Sequence, residues 1–310
     1  MKAVRLQQQG LANNLRLDSV PKPEITDKQI LVKVFVTSVN QIDWKMGSGM
    51  IPSLKSSDYP WIPGMDFAGQ VERVGDSVKS FKKGDFVVGC GNGGSYAEYI
   101  AADPRKTVLK PDTVSFIEGV AAAYVAQTAW QALVKHGKIT KGDKVLVQGA
   151  AGAVGAFTVQ FAHLKGAYIY ATGSGSDRDY VMSLGADRYI DYSTEDFSAI
   201  AKNVDLVIDM VGGSTLEKSY PQLRSGGRLV TLTSGINEKL AEKYNVNAIG
   251  MSVKPTATDL KRILKYMSEG KVVVDIAAVF WLNNAHEAWE YVLNKDASKK
   301  VHGKVMIQVK

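Results

Sequence analysis

The spacing of apolar and polar positions divides the chain into three stretches. Up to about residue 115, short β-branched and apolar runs recur at 30–36, 69–75, 85–89 and 96–100. Pro21, Pro23, Gly47, Pro60, Pro63, Gly64 and Gly84 separate them. Short strands punctuated by glycine and proline predict a compact, barrel-like β domain with functional loops. From 118 to 134 the pattern is Ala-rich and helical, and beyond it apolar strands alternate with helices. Strands are expected at 144–148, 167–172, 188–192, 204–209, 227–232 and 248–253. Helices are expected at 156–162, near 177–184 and 214–223, and at 258–268. Apolar strands alternating with helices predict a parallel sheet covered on both faces. The last stretch reads as a strand at 272–280, a helix at 285–293 and a strand at 304–309. That final strand is expected to return to the first sheet, which makes the middle domain an insertion.

The turn after the first strand of the alternating series is Gly149-Ala150-Ala151-Gly152-Ala153-Val154-Gly155. Strand, glycine turn and helix in that order form the context of a dinucleotide fingerprint. Small residues at Ala150, Gly152 and Gly155 let the backbone approach a pyrophosphate and let the helix pack closely on the strand. The helix N-terminus offers N–H groups and the positive end of its dipole. The commoner fingerprint has glycine where this chain has Ala150, and the loop alone also suits a tight turn in an unrelated α/β domain. Its surroundings decide: six strands in this order fit a full Rossmann domain, with Ala151, Gly152, Ala153, Val154 and Gly155 at the cofactor.

Composition narrows the class. A chain of 310 residues has room for two domains, and 45% hydrophobic with 22% charged residues is ordinary for a soluble globular enzyme. No apolar run approaches the roughly 20 residues of a membrane span, and residues 1–6 lack the apolar core of a secretion signal. The single cysteine, Cys90, can form no internal disulfide, so a cytoplasmic location is expected. The net charge of +7 comes without any block of five basic residues; the densest stretches, 79–83 and 295–304, are interrupted. This reads as a solvated mixed-charge surface, with neither nucleic acid nor membrane as partner.

Several further segments carry a resemblance. They are residues 39–49 (Val-Asn-Gln-Ile-Asp-Trp-Lys-Met-Gly-Ser-Gly), 63–69 (Pro-Gly-Met-Asp-Phe-Ala-Gly), Val74-Gly75 through Gly84-Asp85, 128–133 (Thr-Ala-Trp-Gln-Ala-Leu), Leu184-Gly185-Ala186-Asp187 and His302-Gly303-Lys304-Val305. Together with the glycine loop, in this order, they resemble the medium-chain dehydrogenase/reductase superfamily over nearly the whole chain, specifically its zinc-free quinone and enone reductase branch. The resemblance implies an α/β fold: a GroES-like β-barrel catalytic domain, expected over 1–118 plus 270–310, with an inserted Rossmann NADPH-binding domain over 119–269. It also implies a homodimer formed through an edge strand, here 248–253.

Zinc-dependent members of that superfamily carry Gly-His-Glu where this chain has Gly64-Met65-Asp66, a cysteine near Asn40, and a four-cysteine lobe. Catalytic zinc needs three protein ligands and structural zinc four. Cys90 with the scattered His136, His163, His286 and His302 cannot supply them, so no metal is expected. An NAD-selective fold places an acid roughly 20 residues past the glycine loop. Here the second strand ends Ala171-Thr172-Gly173-Ser174-Gly175-Ser176, with Arg178 and Tyr192 following. In relatives, small polar residues, a basic residue and a tyrosine at these positions surround a 2′-phosphate. Gly173, Ser174, Arg178 and Tyr192 are therefore expected around that group, with arginine supplying a charge-assisted fork, and the cofactor is NADPH. Asp177 and Asp179 pull the other way.

With no metal and no Ser/His or Cys/His array, hydride chemistry falls to the cofactor. The resemblance implies hydride transfer from the nicotinamide to the β-carbon of an α,β-unsaturated carbonyl, or to a quinone. The acceptor oxygen then needs a donor or positive charge. Lys45 matches a lysine near the nicotinamide and the substrate carbonyl, and is the first catalytic candidate. Tyr124, as proton donor, is the second. Asn40 and Asp43 match positions lining the same cleft, and Thr128 matches one near the nicotinamide half. Val211 and Thr233 lie past the fourth and fifth strands, at the edge where ligands of this fold bind. Phe280 and Trp281 match a cleft-lining segment, Trp281 standing where relatives often have proline. Tyr59 and Trp61 precede Pro63 in a loop expected to face a planar acceptor. Cofactor contacts are thus expected from Asn40, Lys45, Thr128, Val211, Thr233 and Phe280 as well, and substrate contacts from Asn40, Asp43, Tyr59, Met65 and Trp281. The reading is an NADPH-dependent reductase of quinones or enones. The alternative is an NADPH-binding protein without catalysis that binds RNA through its basic surface.

Overall fold

The structure, a computed structural model, describes residues 1–233, 235–294 and 302–309. Most of the basic stretch 295–304 lies outside the described residues. The chain forms two compact units: Met1–Tyr124 with Pro255–Lys310, and Val125–Lys254.

The second unit is built on a six-stranded sheet. Its strands lie in the order Arg188–Asp191, Tyr168–Gly173, Lys144–Gln148, Val204–Asp209, Leu223–Thr231, Asn247–Gly250, and every neighbouring pair is parallel. In chain order this is 3-2-1-4-5-6, so the order reverses beside Lys144–Gln148, the switch point at which ligands of doubly wound sheets bind. Val145, Leu146 and Val147 are fully buried, as are Leu206, Val207 and Ile208. Continuous apolar runs fit a sheet covered on both faces. The sixth strand is shorter than the expected 248–253 and sits at the sheet edge, with Ile249 37% exposed.

The first unit holds a seven-stranded sheet. Ile30–Ser38 is its centre, pairing with Asp66–Val74, Tyr99–Ala102 and the returning strand Lys304–Gln308. Phe86–Cys90 and Thr107–Leu109 extend it on one side, and Ile276–Trp281 closes the other by pairing parallel to Lys304–Gln308. A separate hairpin, Lys2–Leu6 with Leu15–Ser19, was not foreseen, because exposed Arg16 and polar Asp18 and Ser19 interrupt its apolar pattern. The strand expected at 96–100 begins only at Tyr99. Tyr96 is instead drawn into the core, with its N–H on the Pro63 carbonyl.

Two expectations about helices change. The segment 118–134 is not one helix but Phe116–Ala123, Val125–Trp130 and a π-helical stretch Gln131–His136. Ala-rich periodicity marks all three as helical yet does not encode the width of the last turn, which Gly137 closes on the Ala132 carbonyl. The helix Ala257–Ser268 belongs to the first unit. Its Leu260 and Leu264 pack with Val120, Ala121 and Ala123 of Phe116–Ala123 and with Val36 and Ala68 of the sheet. The units therefore part at residues 124/125 and 254/255 rather than at 118/119 and 269/270.

Candidate active site

In the second unit the glycine loop takes the form its sequence implies. Gly149 has φ +80°, and its N–H and that of Ala150 are held by the hydroxyl and carbonyl of Thr172 on the neighbouring strand (3.3 and 2.9 Å). A Cβ on Gly155 would lie 2.2 Å from the Gly149 carbonyl oxygen, so only glycine lets the helix Ala153–Leu164 start this close to its strand. A Cβ on Gly152 would meet nothing nearer than 3.5 Å. Gly152 is also the helix N-cap, without a side-chain cap. The loop thus leaves open space at a helix start, the kind of place where first-turn N–H groups can meet an anion.

The residues expected around a 2′-phosphate lie at the tip of the next strand, Tyr168–Gly173, and just beyond it. Gly173 is required because its Cβ would lie 2.3 Å from the Tyr189 hydroxyl, which donates to the Ser174 carbonyl. Asp177 does not face outward as an acid. It is buried, and its Oδ2 accepts from the Ser174 N–H (3.2 Å) and hydroxyl (2.6 Å). Arg178 lies over the Tyr189 ring, 5.2 Å from its centroid, and 3.6 Å from Glu195. Glu195 also holds Arg188 at 2.5 Å and the Asp191 N–H at 3.1 Å. Tyr192 is 67% exposed, anchored by its N–H on the Gly173 carbonyl. Sequence reasoning missed Glu195, since nothing in its spacing marks it as a partner of two arginines. It also missed Asp209, which ties the two strand-end loops together. Asp209 Oδ1 accepts from the N–H groups of Val211 (3.2 Å) and Gly212 (3.1 Å), and Oδ2 from the hydroxyls of Thr231 (2.6 Å) and Thr233 (3.3 Å). Val211, 53% exposed, and Thr233 are so fixed at the carboxyl edge. Thr128 is buried in the helix Val125–Trp130.

In the first unit the candidates converge on the start of helix α1 (Gln41–Gly47). Asn40 precedes it, and the Asn40 N–H donates to Asp43 Oδ2 at 2.8 Å, closing the first turn. The Asn40 amide nitrogen donates to Asp66 Oδ2 at 2.9 Å, and its oxygen accepts from the Lys304 ammonium at 2.8 Å. Asp66 also accepts from the N–H and hydroxyl of Ser38. Asp43 Oδ2 further accepts from the Tyr96 hydroxyl (3.3 Å), which in turn accepts from the Trp289 indole N–H (3.2 Å). Asp43 Oδ1 is buried with no partner among the described residues. Burial pushes the Asp43 carboxyl up to about 7 and raises that of Asp66, while Asn40 and Lys304 pull them down. Burial likewise lowers Lys304 against the pull of both carboxylates, and raises the Tyr96 and Tyr124 phenols.

Lys45 sits in the last turn of α1, half-buried, its ammonium 5.6 Å from the centroid of the Trp44 ring. It makes no ion pair among the described residues. Tyr59 packs on the same apolar cluster as Trp44, Trp61 and Phe280, and its hydroxyl donates to the Gly47 carbonyl at 3.3 Å. Phe280 and Trp281 do not share a face: consecutive strand residues point to opposite sides, Phe280 against Tyr291 at 5.9 Å and Trp281 outward, 56% exposed. Met65 is buried beside Asp66. Among the described residues no three His, Cys, Asp or Glu side chains gather as a metal-binding group.

The arrangement places an open glycine turn at a helix start in one unit and, in the other, a half-buried Lys45 on the helix whose first turn Asn40 and Asp43 close. Residues 26–112 match the family described as "Alcohol dehydrogenase GroES-like domain", and residues 184–307 that described as "Zinc-binding dehydrogenase". The chain is 33% identical over 312 residues to a chloroplast envelope quinone oxidoreductase homolog of Arabidopsis thaliana, covering 94% of each chain. It is 34% identical over 315 residues to a 2-methylene-furan-3-one reductase of Solanum lycopersicum, covering 97% of this chain and 78% of that one. The structure of a quinone oxidoreductase from Coxiella burnetii matches with a TM-score of 0.92 and 32% identity, over 100% of this chain and 99% of the other. The chain belongs to the quinone and enone reductase branch of the medium-chain dehydrogenase/reductase superfamily.

Proposed function

We propose that the chain is an NADPH-dependent reductase of quinones and of the C=C bond of α,β-unsaturated carbonyls, working without zinc. The observation that carries it is the uncapped helix start at Gly152 beside a strand tip whose acid, Asp177, is turned onto Ser174. A buried Asp177 leaves Ser174, Arg178 and Tyr192 to meet a phosphate where an NAD-selective fold would present a carboxylate. Relatives named as quinone oxidoreductase, 2-methylene-furan-3-one reductase and NADPH-dependent alkenal/one oxidoreductase support the substrate class.

In this reading Ala151 to Gly155 hold the pyrophosphate, and Gly173, Ser174, Arg178 and Tyr192 the 2′-phosphate. Thr128, Val211 and Thr233 continue the cofactor's site within the second unit. When bound, NADPH supplies a hydride to the acceptor. The Lys45 ammonium stabilises negative charge on the acceptor oxygen. The Tyr124 phenol, held protonated by burial, gives the proton that completes a two-electron reduction. Tyr59, Met65 and Trp281 contact the acceptor, while Asp43, fully buried, holds the start of α1. Zinc independence rests on Asn40, whose amide is engaged at both ends, and on Met65, whose thioether replaces a stronger donor.

No helix among the described residues is long and apolar enough to cross a membrane. The edge strand Asn247–Gly250 is the proposed dimer contact. A cytoplasmic location is proposed from the lone buried Cys90, although several relatives are named as chloroplastic.

The test is NADPH oxidation against 1,2-naphthoquinone and medium-chain alkenals in the presence of EDTA. Turnover that EDTA leaves unchanged is expected. NADPH binding without turnover on any acceptor would overturn the reading and favour the non-catalytic alternative.

A further inference from the structure

Lys304 has no task in the reading above, yet it is the one buried lysine or arginine among the described residues, 3% exposed. A methionine of similar length would fill the space without the cost of desolvating an ammonium. The lysine reaches its place because Gly303 (φ +112°) brings the chain tight against Asp275; a Cβ there would lie 2.2 Å from the Asp275 carbonyl oxygen. Lys304 starts the strand Lys304–Gln308, and its ammonium donates to the Val39 carbonyl at 2.7 Å and to Asn40 Oδ1 at 2.8 Å. Both bonds land on the two residues that lead into α1.

The rest of Asn40 is fixed just as firmly. Its amide nitrogen binds Asp66 Oδ2, so the amide lies between an ammonium and a carboxylate, an arrangement in which each bond strengthens the other. Its N–H binds Asp43 in the first turn of the helix. Strands Asp66–Val74 and Lys304–Gln308 thus set one residue, and that residue sets the start of the helix that carries Lys45. Ser38, Tyr96 and Trp289 complete the surround, and the ammonium faces the carboxylates of Asp43 and Asp66.

We propose that Lys304 is a positioning residue of the reductase site: acting through Asn40, it fixes the start of α1 and so the placement of Lys45. Its effect on turnover rests on the proposed reductase function; its effect on α1 does not. Displacing a catalytic group by about an ångström costs turnover.

The full chain is compared with Lys304→Met, Lys304→Gln, Asn40→Ala and the double variant Asn40→Ala/Lys304→Met. Lys304→Met is expected to lose roughly ten- to a hundredfold in kcat, with the Kd for NADPH, read by fluorescence titration, unchanged. Lys304→Gln, which keeps a donor, recovers part of the loss. The double variant is no worse than the poorer single one, because both break the same link. Hydrogen exchange of the peptide 39–48 rises in Lys304→Met. Unchanged kcat in Lys304→Met, multiplicative losses in the double variant, or unchanged exchange over 39–48 would each overturn the proposal. If Lys304→Met does not fold, Lys304→Gln and Asn40→Ala carry the same comparison. If the parent protein turns over no acceptor, the reductase reading fails, and the exchange of 39–48 alone decides whether Lys304 sets α1.

Discussion

A methyl group on Gly155 would lie 2.2 Å from the carbonyl oxygen of Gly149, well inside van der Waals contact. The backbone carbonyl cannot swing away, since Gly149 and Ala150 are both pinned to Thr172. The helix Ala153–Leu164 would have to move off its strand. Gly155→Ala is therefore expected to lower stability by about 1–3 kcal/mol and to weaken NADPH binding at least tenfold, as measured by thermal melting and fluorescence titration. Parent-like binding in this variant would show that the close approach does not shape the cradle.

Arg178 already has a carboxylate near it, Glu195 at 3.6 Å, and a phosphate would compete for the same guanidinium. A charge-assisted contact contributes about 1.5–3 kcal/mol. Arg178→Ala should cut kcat/KM for NADPH by roughly ten- to a hundredfold on that basis while leaving NADH nearly unchanged. The ratio of the two cofactors in parallel assays reads it directly.

Removing the Lys45 charge tests the reacting end. Lys45→Met keeps the helix-forming stem and its packing near Trp44 but leaves the acceptor oxygen without an ammonium. The expected loss in kcat is on the order of a hundredfold, comparable with removing one oxyanion donor elsewhere. Nucleotide binding should not change; a Kd for NADPH that weakened in step with kcat would assign Lys45 to the cofactor alone.

The buried carboxylate of Asp43 makes a prediction about pH. Its pKa rises from 3.8 to about 7 in the fold, so between those values the native state holds a proton that the unfolded chain has released. Stability must fall as pH rises through that window. At about 1.4 kcal/mol per unit, the loss reaches up to about 4 kcal/mol. Asp43→Asn removes this dependence, and its melting temperature should gain on the parent steadily between pH 4 and pH 7. The comparison reads Asp43 together with its pull on the Lys304 ammonium, which its carboxylate faces. A gap between the two that stays constant with pH would contradict the assignment.

What could be read from the residues alone followed sequence distance. Gly149 to Gly155 lie on one turn, and their spacing states their geometry. The six-strand series was legible for the same reason, strand by strand. Asn40, Asp43 and Lys45 were legible as one segment, but what holds Asn40 was not: Lys304 lies 264 positions away. In the run Lys304-Val305-Met306-Ile307 nothing in the spacing marks the lysine as buried. Only pairing with Val36–Ser38 turns it inward. Asp177 shows the opposite failure. It stood where an outward acid would have argued for NADH, and only its bonds to Ser174 show that it caps the turn.

The strand Ile30–Ser38 pairs with Asp66–Val74 and Tyr99–Ala102, which follow it closely on the chain, and with Lys304–Gln308, which arrives only after the second unit. During synthesis the whole of Val125–Lys254 leaves the ribosome before that last neighbour exists. The nucleotide-binding unit can therefore complete itself on a nascent chain whose first unit still has an open sheet edge at Val36–Ser38, and such edges invite pairing with other chains. Chaperone demand in the cell should accordingly fall on the first unit, in the interval between the emergence of residue 254 and that of residue 308.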